Sequence, residues 1–473
     1  MCVLLEPKTW VKNSADGITV HVLRSVFIYI LYTIFHCLNL SNMSISSINK
    51  LSRLFQPVSS RIATAKKSDI PSKSYENLIK YGFIRQVNNG MYAFLPLGLR
   101  VLNKLITIVD KEMDKIGAQK LLLPALTSTN LWKQTSRYDE NKSELFQVQD
   151  RSNRTYILGP THEEAICSLV SSVGTLSGKM LPLKLYQISN KWRDEMKPRL
   201  GFLRSREFVM KDLYTFDKDL GKAKETYESV CNAYENILEK IGIPFIKAFG
   251  NPGSIGGLTT HEYHYSSEIG EDIVCVCSTC RSAINKTMCN ETHCNHCKNA
   301  LFEQITVEVA HTFLLDTKYT KPLNVVYKLN NISSPMVMGC FGLGLSRIFT
   351  AMSEILSTKE ELRWPNHLSP YTVCIIPPKK GSKEEGGSQH VNQIIEILDR
   401  LNIDAILDDR TGLSIGNRFM HARVTGFSYV IVLGKGTMKS PPLVEVHNIN
   451  NSTNSEIPLD NVHSYFNNEN IET

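Results

Sequence analysis

"WRDEMKPRLGFLRSREFVMKDLYTFD", residues 192 to 217, alternates polar and apolar side chains on either side of a loop marked by Pro198 and Gly201. With "LPLKLYQISN" just before it, the stretch reads as a long antiparallel hairpin. Residues two apart in a strand share a face, so Arg193 and Glu195 are expected to project together from one arm. Arg204, Arg206 and Phe208 are expected to do the same from the other. Guanidinium forks grip phosphate oxygens bidentately, a carboxylate accepts from the exocyclic amine of adenine, and a phenyl face stacks on its ring. The hairpin therefore reads as a nucleotide-binding constellation. A surface hairpin with neutralising ion pairs would present the same charges.

Outward from the hairpin, "LGLRVLNKLITIVDKEMDKI" (residues 97–116) has apolar positions at helical spacing. Gly117 ends that helix before the apolar run "LLLPAL", which is expected to be a strand. A long helix is expected over residues 219–241. After Trp364-Pro365 the texture changes to "YTVCIIPP", a helix over about 388–401, "DAILDDR", a second helix and "YVIVLG". Strands alternating with helices predict a separate α/β domain with its boundary near residue 368. No internal repeat is visible.

A chain of 473 residues exceeds a single typical domain, and 21% charged with 42% hydrophobic residues excludes global disorder and a polytopic membrane fold. The net charge of +7 favours an anionic partner such as nucleic acid. No acidic residue occurs between Asp16 and Asp69, while Arg24, Lys50, Arg53, Arg61, Lys66 and Lys67 stand among many serines. This is transit-peptide composition and predicts mitochondrial import. From Ile45, the residues Ile48, Leu51, Phe55, Val58 and Ile62 recur at helical spacing opposite Lys50, Arg53 and Arg61, with Pro57 as a kink. The apolar run at residues 26–40 is short of the ~20 residues a spanning helix needs and is interrupted by Thr33, His36 and Asn39, so a membrane anchor is the second reading, behind import. Met43, just before the amphipathic stretch, suggests an internal start, with residues 1–42 as an upstream extension.

Six of the twelve cysteines fall between Cys275 and Cys297, which disfavours a disulfide framework. Cys277 with Cys280, and Cys294 with Cys297, form two CxxC knuckles at spacing close to a zinc ribbon. Cys275, Cys289, His293 and His296 are further donors that leave the ligand set open, and a metal-free reduced loop is the bland alternative.

"WRDE", a loop and "RSREF" resemble motif 2 of the class II aminoacyl-tRNA synthetases: an RxE, then an Arg across the loop and a Phe four residues on. Residues 100–126 with Pro124 resemble motif 1. "MGCFGLGLSRIF", with Gly342, Gly344 and Arg347, resembles motif 3. A dinucleotide-binding reading of "GLGLSR" fails because Arg347 stands where the third glycine belongs. "HEEAI" at 162 and "HEYH" at 261 lack the second histidine of a zincin. Within class II, "GPTHEE", "GSIGG", "HEY", "MGCFGLG", "RWP" and "LDDR" are similar to segments of the bacterial and mitochondrial prolyl-tRNA synthetases, over residues 69–450.

The resemblance implies an α+β catalytic domain with a mixed, mainly antiparallel sheet at residues 69–367, preceded by an extension and presequence at 1–68. A smaller α/β anticodon-binding domain at 368–473 follows. It implies that Arg193 binds the α-phosphate of ATP, Glu195 the adenine amine and Arg204 the γ-phosphate, with Phe208 and Arg347 enclosing the ring. Arg193 and Arg347 would be the catalytic pair. Thr161 and Glu163 would meet the imino group of proline, a secondary ammonium with two N–H donors, and Phe216, His261 and Cys340 would wall its pocket. Core packing is the alternative for those three.

The implied reaction forms prolyl-adenylate and then transfers the acyl group to the tRNA for proline, with Mg2+ sharing the phosphate charge and Asp212 as a ligand. Arg410, Arg418 and Arg423 would be available to tRNA. Relatives suggest a homodimer in the mitochondrial matrix. Bacterial relatives insert an editing domain where this chain has the cysteine knuckles at 275–304, so post-transfer editing is expected to be absent. The rivals are a sister synthetase and a catalytically dead synthetase-like accessory protein. Such a protein would commonly lose the arginines that stand here at 193 and 347.

Overall fold

The computed structural model describes residues 48–58 and 72–469. Of the amphipathic stretch expected as a helix, only 48–58 is described, and it is not helical. A short strand, β1 (Asn49–Lys50), runs parallel to Ile406 and Leu407 at the edge of the C-terminal sheet. One 3-10 turn follows over Leu51–Arg53, and Leu51 is buried in the main core. Ser52 donates to Asp409 from its backbone N at 2.9 Å and its hydroxyl at 2.6 Å. Gln56 Nε2 donates to Tyr81 O at 3.0 Å and Thr425 Oγ1 at 3.3 Å, and Arg85 donates to Pro57 O at 2.9 Å. Free main-chain groups at a sheet edge and one buried leucine outweigh the helical periodicity here. The other expectations for the N-terminal region lie at residues 1–47 and 59–71, outside the described residues.

Helix α1 (Pro96–Lys115) starts with proline at its first position and buries Leu97, Val101, Leu105, Val109 and Met113. Gly117, at φ +69°, takes the left-handed conformation that ends it. The strand expected over "LLLPAL" (residues 121–126) does not form: the two-residue β2 (Gln119–Lys120) precedes it, and only Leu126 enters a strand, Leu126–Ser128. Residues 121–125 are irregular, with Leu123 N bonded to Gln187 Oε1 at 3.0 Å in place of a ladder partner. Helix α2 (Glu163–Ser172) follows.

The hairpin forms as β3 (Leu183–Trp192) and β4 (Glu207–Asp217), in register from Glu207 opposite Trp192 to Phe216 opposite Leu183. Helix α3 (Leu220–Ile241) is capped by Asp219 and closed by Gly242 at φ +82°. Then come β5 (Phe245–Phe249), β6 (Thr259–Ser266), β7 (Asp272–Cys277), β8 (Ala283–Asn285), β9 (Leu301–Asp316), β10 (Val337–Leu343) and helix α4 (Leu345–Leu356).

These strands make a nine-stranded sheet in the order β6-β5-β8-β7-β9-β10-β4-β3-β2, with β6 also paired along β9. Only β5–β8 and β2–β3 are parallel, so the sheet is mixed and mainly antiparallel, as expected. Side-chain alternation divides its two faces. Lys211 and Phe341 meet Tyr234 of α3, and the apolar stripes of α1, α3 and α4 join one core cluster. Phe208, Met210 and Asp212 of β4, with Cys340 and Gly342 of β10, turn to the opposite face and line a cavity.

Beyond Trp364, β11 (Val373–Ile376), α5 (Val391–Arg400), β12 (Ala405–Leu407), α6 (Ile415–Thr425), β13 (Tyr429–Val432), β14 (Leu443–Asn448) and β15 (Thr453–Pro458) follow. They build a second sheet ordered β1-β12-β11-β13-β14-β15. It is parallel as far as β13 and antiparallel after it. No helix among the described residues is long and apolar enough to cross a membrane.

Candidate functional site

The cavity has a volume of about 340 Å3 and lies over β4, β9 and β10. Thr161, Glu163, Arg193, Glu195, Arg204, Phe208, Cys340 and Arg347 all line it, so eight of the ten residues expected to bind nucleotide or amino acid share one hollow.

Its deep end is built on a carboxylate. Glu163 opens α2 and has 0% exposure. Thr161 Oγ1 donates to it at 2.7 Å, Cys340 Sγ at 3.0 Å and Arg137 NH1 at 3.2 Å. Arg137 also bonds Glu164 at 3.1 Å and stacks 4.5 Å from the Trp132 ring and 5.5 Å from that of Tyr319. Burial opposes ionisation of Glu163, but Arg137, Thr161 and Cys340 outweigh it and hold the carboxyl below its usual range. Burial pushes the neighbouring Glu164 up. The result is one buried anion beside Phe313, Trp132 and Cys340, suited to a small cation with an apolar body.

The outer end is cationic. The Arg193 guanidinium lies 5.4 Å over the Phe208 ring and forms none of the ion pairs among the described residues. Burial and the nearby Arg347 both disfavour its charge. Arg347 sits in the first turn of α4, after Gly344, and its NH1 bonds Glu308 O at 2.8 Å. An unpaired cation aimed into a hollow beside a helix N-terminus is a site for an anion. Arg204 meets Glu195 at 2.9 Å and Glu271 at 3.3 Å.

Several expectations change. Arg193, Glu195, Arg204 and Arg206 lie in the connection beyond the strand ends, so strand alternation does not orient them. Arg206 turns away from the cavity to Asp194 at 3.3 Å and to the Phe146 ring at 5.9 Å. Phe216 points to the cavity side of β4 but is buried below it, packed with Met338 and Tyr319, and does not line it. His261 faces the helices: its Nδ1 meets Tyr227 OH at 2.8 Å, and its ring lies 4.9 Å from Phe249. His311, Phe313 and Trp132 stand in the wall instead. Asp212, expected as a metal ligand, is held by Lys191 Nζ at 2.7 Å, Gln187 Nε2 at 2.9 Å and Tyr214 OH at 2.9 Å, so it is already neutralised.

Sequence reading also missed Glu308, whose carboxylate faces Arg347 at 3.4 Å and His311 at 3.0 Å. Burial works against its charge, but His311 and Arg347 outweigh it and hold the carboxyl well below the usual range. The segment "VEVAHTF" alternates in the β manner and could have signalled Glu308.

The cysteine ambiguity resolves geometrically. The sulfurs of Cys277, Cys280, Cys294 and Cys297 all lie within 4.8 Å of one another, with Cys277 and Cys297 at 3.3 Å. Tetrahedral thiolates 2.3 Å from zinc would be about 3.8 Å apart, so the four suit that ion. The backbone N–H of Asn299, with help from Cys277, draws the Cys297 thiol down to about 6. At Cys280 the backbone of Ser282 is outweighed by burial and the sulfurs of Cys294, Cys297 and Cys277, which push the thiol up to about 12, so the fit to zinc rests on the geometry. Cys275, Cys289, His293 and His296 stay outside the group.

Among the three C-terminal arginines, Arg418 is buried and bonds Pro377 O at 2.7 Å and Asp408 O at 3.2 Å, so it braces the fold and is closed to a partner. Arg410 pairs with Asp408 at 2.7 Å and Arg423 with Glu361 at 2.7 Å, both partly exposed.

Residues 146–356 match the family described as "tRNA synthetase class II core domain (G, H, P, S and T)", and residues 372–469 match "Anticodon binding domain". The chain is 42% identical over 408 residues to the probable mitochondrial proline–tRNA ligase of Mus musculus, covering 84% of this chain and 86% of that one. It is 34% identical over 403 residues to the proline–tRNA ligase of Ehrlichia canis, covering 81% and 92%. The fold resembles that of prolyl-tRNA synthetase from Cryptosporidium parvum complexed with halofuginone and AMPPNP (TM-score 0.69, 18% identity, 84% of this chain and 76% of that one). It also resembles the Giardia lamblia enzyme in complex with prolyl-adenylate (TM-score 0.68, 17% identity, 84% and 77%).

Proposed function

The chain belongs to the proline–tRNA ligases, a family of class II aminoacyl-tRNA synthetases, and we propose that it charges the tRNA for proline in mitochondrial translation. The observation that carries this reading is the single cavity joining a buried, ionised Glu163 to the unpaired Arg193. Proline's secondary ammonium would donate its two N–H groups to Glu163 and Thr161, with the ring against Phe313, Trp132 and Cys340. Arg193 would hold the α-phosphate, Glu195 the adenine amine and Arg204 the γ-phosphate, with Phe208 and Arg347 on the two faces of adenine. Arg204 would leave Glu271 to do so.

Proline's carboxylate then attacks the α-phosphorus in line, forming the acyl–phosphate bond as pyrophosphate leaves with the electron pair of the bridging oxygen. A terminal ribose hydroxyl of the tRNA next attacks the carbonyl and releases AMP. The protein contributes by placing two anions together and by fixed positive charge where the phosphorane develops. Class II synthetases use Mg2+ with ATP, which supplies charge neutralisation at the phosphates; Glu308 would be free to hold it once Arg347, its partner in the ligand-free protein, turned to the adenine ring. The test is charging of an unmodified tRNA for proline with labelled proline. Product absent with active, folded protein would overturn the proposal.

Residues 69–367 would act as the catalytic domain and 368–473 as the anticodon-binding domain, with 275–304 in place of an editing domain. The knuckles and short strands β7 and β8 that occupy this span support that reading. A pocket that separates alanine from proline by missing methylenes discriminates by roughly 1–3 kcal/mol each. Alanine is therefore expected to be activated detectably, and preformed alanyl-tRNA for proline to persist when incubated with the protein. Rapid enzyme-dependent deacylation would refute the absence of editing.

The four converging cysteines would hold one structural Zn2+ per chain. Elemental analysis should find it, and Cys294→Ser should abolish it and lower the thermal midpoint. A homodimer fits the exposed Leu122, Leu126 and Val148. Import into the mitochondrial matrix is supported by the mitochondrial relatives and by the acid-free, basic stretch between Asp16 and Asp69.

A further inference from the structure

The cysteine hairpin lies outside the cavity, yet Asn285 at the end of β8 and Thr287 just after it reach Asn251 in the cavity wall by two hydrogen-bonded routes. In the first, Asn285 Nδ2 donates to Glu262 Oε2 at 2.7 Å. Glu262 is 4% exposed, and its carboxylate also accepts from Asn251 N at 3.0 Å and meets His264 Nε2 at 3.0 Å. Beyond that bonded path, His311 Nε2 lies 3.9 Å from the other Glu262 oxygen, an electrostatic contact too long for a hydrogen bond, and His311 Nδ1 lies 3.0 Å from Glu308, which faces Arg347. In the second, Thr287 Oγ1 accepts from Asn251 Nδ2 at 3.2 Å and donates to Asn285 Oδ1 at 2.8 Å. Asn251 Oδ1 in turn accepts from Gly253 N at 3.0 Å. Asn251, Pro252, Gly253, Ser254 and Ile255 all line the cavity.

We infer that Asn285 and Thr287 are positioning residues for substrate binding: they fix Asn251 and Glu262, and through them the 251–255 loop, with the Glu262 carboxylate held within electrostatic reach of the His311–Glu308–Arg347 row. This rests on the reading of the cavity as the proline and ATP site. An exposed loop secured by few bonds opens locally at low cost, and a site that is formed only part of the time binds more weakly by that fraction. The cysteine module thus has a task besides filling the place of a larger domain. Its clasped end gives the loop between β8 and Cys289 a rigid base from which to hold the cavity wall.

The tests are Thr287→Val, which removes the hydroxyl at nearly constant volume, Thr287→Ser, which keeps it, and Asn285→Ala. Proline- and ATP-dependent pyrophosphate exchange, zinc content and thermal midpoint are measured on each preparation. Thr287→Val is expected to raise KM for proline, and Asn285→Ala KM for both substrates, by about threefold to tenfold with little change in kcat, the mark of lost uniform binding. Zinc content should stay at the level of the parent protein, and Thr287→Ser should restore KM. Parent values of KM in both Thr287→Val and Asn285→Ala overturn the inference.

Amide hydrogen exchange of the ligand-free protein reads the same tie independently of substrate. Exchange at Asn251 and Gly253 is expected to accelerate in Thr287→Val and Asn285→Ala, and unchanged exchange also overturns it. Absence of any proline-dependent exchange reaction in the parent protein would instead overturn the reading of the site, and the amide measurement would still decide the tie.

Discussion

Arg193→Ala is expected to lower kcat for proline-dependent ATP–pyrophosphate exchange by roughly 10²–10³-fold, the cost of deleting one preorganised donor at a developing charge. Its distinguishing feature is that stability should not suffer. Arg193 forms none of the ion pairs among the described residues, and burial together with Arg347 works against its charge in the ligand-free protein. Deleting it leaves no partner orphaned and relieves like-charge repulsion, so the thermal midpoint should hold or rise while activity collapses. Arg193→Lys should recover little, because an ammonium cannot reproduce a bidentate fork or the contact with the Phe208 ring. Exchange at the parent rate in Arg193→Ala would show that the nucleotide sits elsewhere.

Glu163→Gln keeps the shape of the deep pocket and removes its charge. The buried Arg137 would then face only Glu164, whose own carboxyl burial pushes toward the neutral form. Proline's ammonium would meet a neutral amide. Removing one partner of a buried, hydrogen-bonded charge pair at a binding site costs roughly 2–5 kcal/mol, which at 1.4 kcal/mol per decade corresponds to about 30- to 4,000-fold in kcat/KM for proline. The KM for ATP should change less, because the partners of Glu163 are Thr161, Arg137 and Cys340, none of them assigned to ATP. Unlike Arg193→Ala, this variant should also lose thermal stability. A parent-like kcat/KM for proline would refute the role of Glu163.

The parts of this site legible in the sequence are those that neighbouring residues specify. A hairpin, a glycine-bearing strand opening a helix and two CxxC knuckles each declare themselves within a few residues, and all three formed. What the sequence hid depends on which face of a strand meets the cavity. His261 and Glu262 are adjacent, and alternation cannot say which of the two turns inward; the register shift between Tyr263 and His264 removes even the parity cue. Arg137 reaches Glu163 only because α2 and a short helix 26 residues earlier pack together. Arg418 looked like a solvent-facing cation, yet its guanidinium satisfies two carbonyls inside the C-terminal unit. The short strand at Asn49–Lys50 was obscured because helical spacing and a sheet edge can use the same apolar residues.

The measurement that bears most directly on the whole account is ATP–pyrophosphate exchange by the purified protein with each amino acid in turn. A cavity that pairs an ionised Glu163 with an apolar wall, next to an unpaired Arg193, predicts strong exchange with proline, weak exchange with alanine and background with the rest. Background with proline, or stronger exchange with any other amino acid, would contradict it.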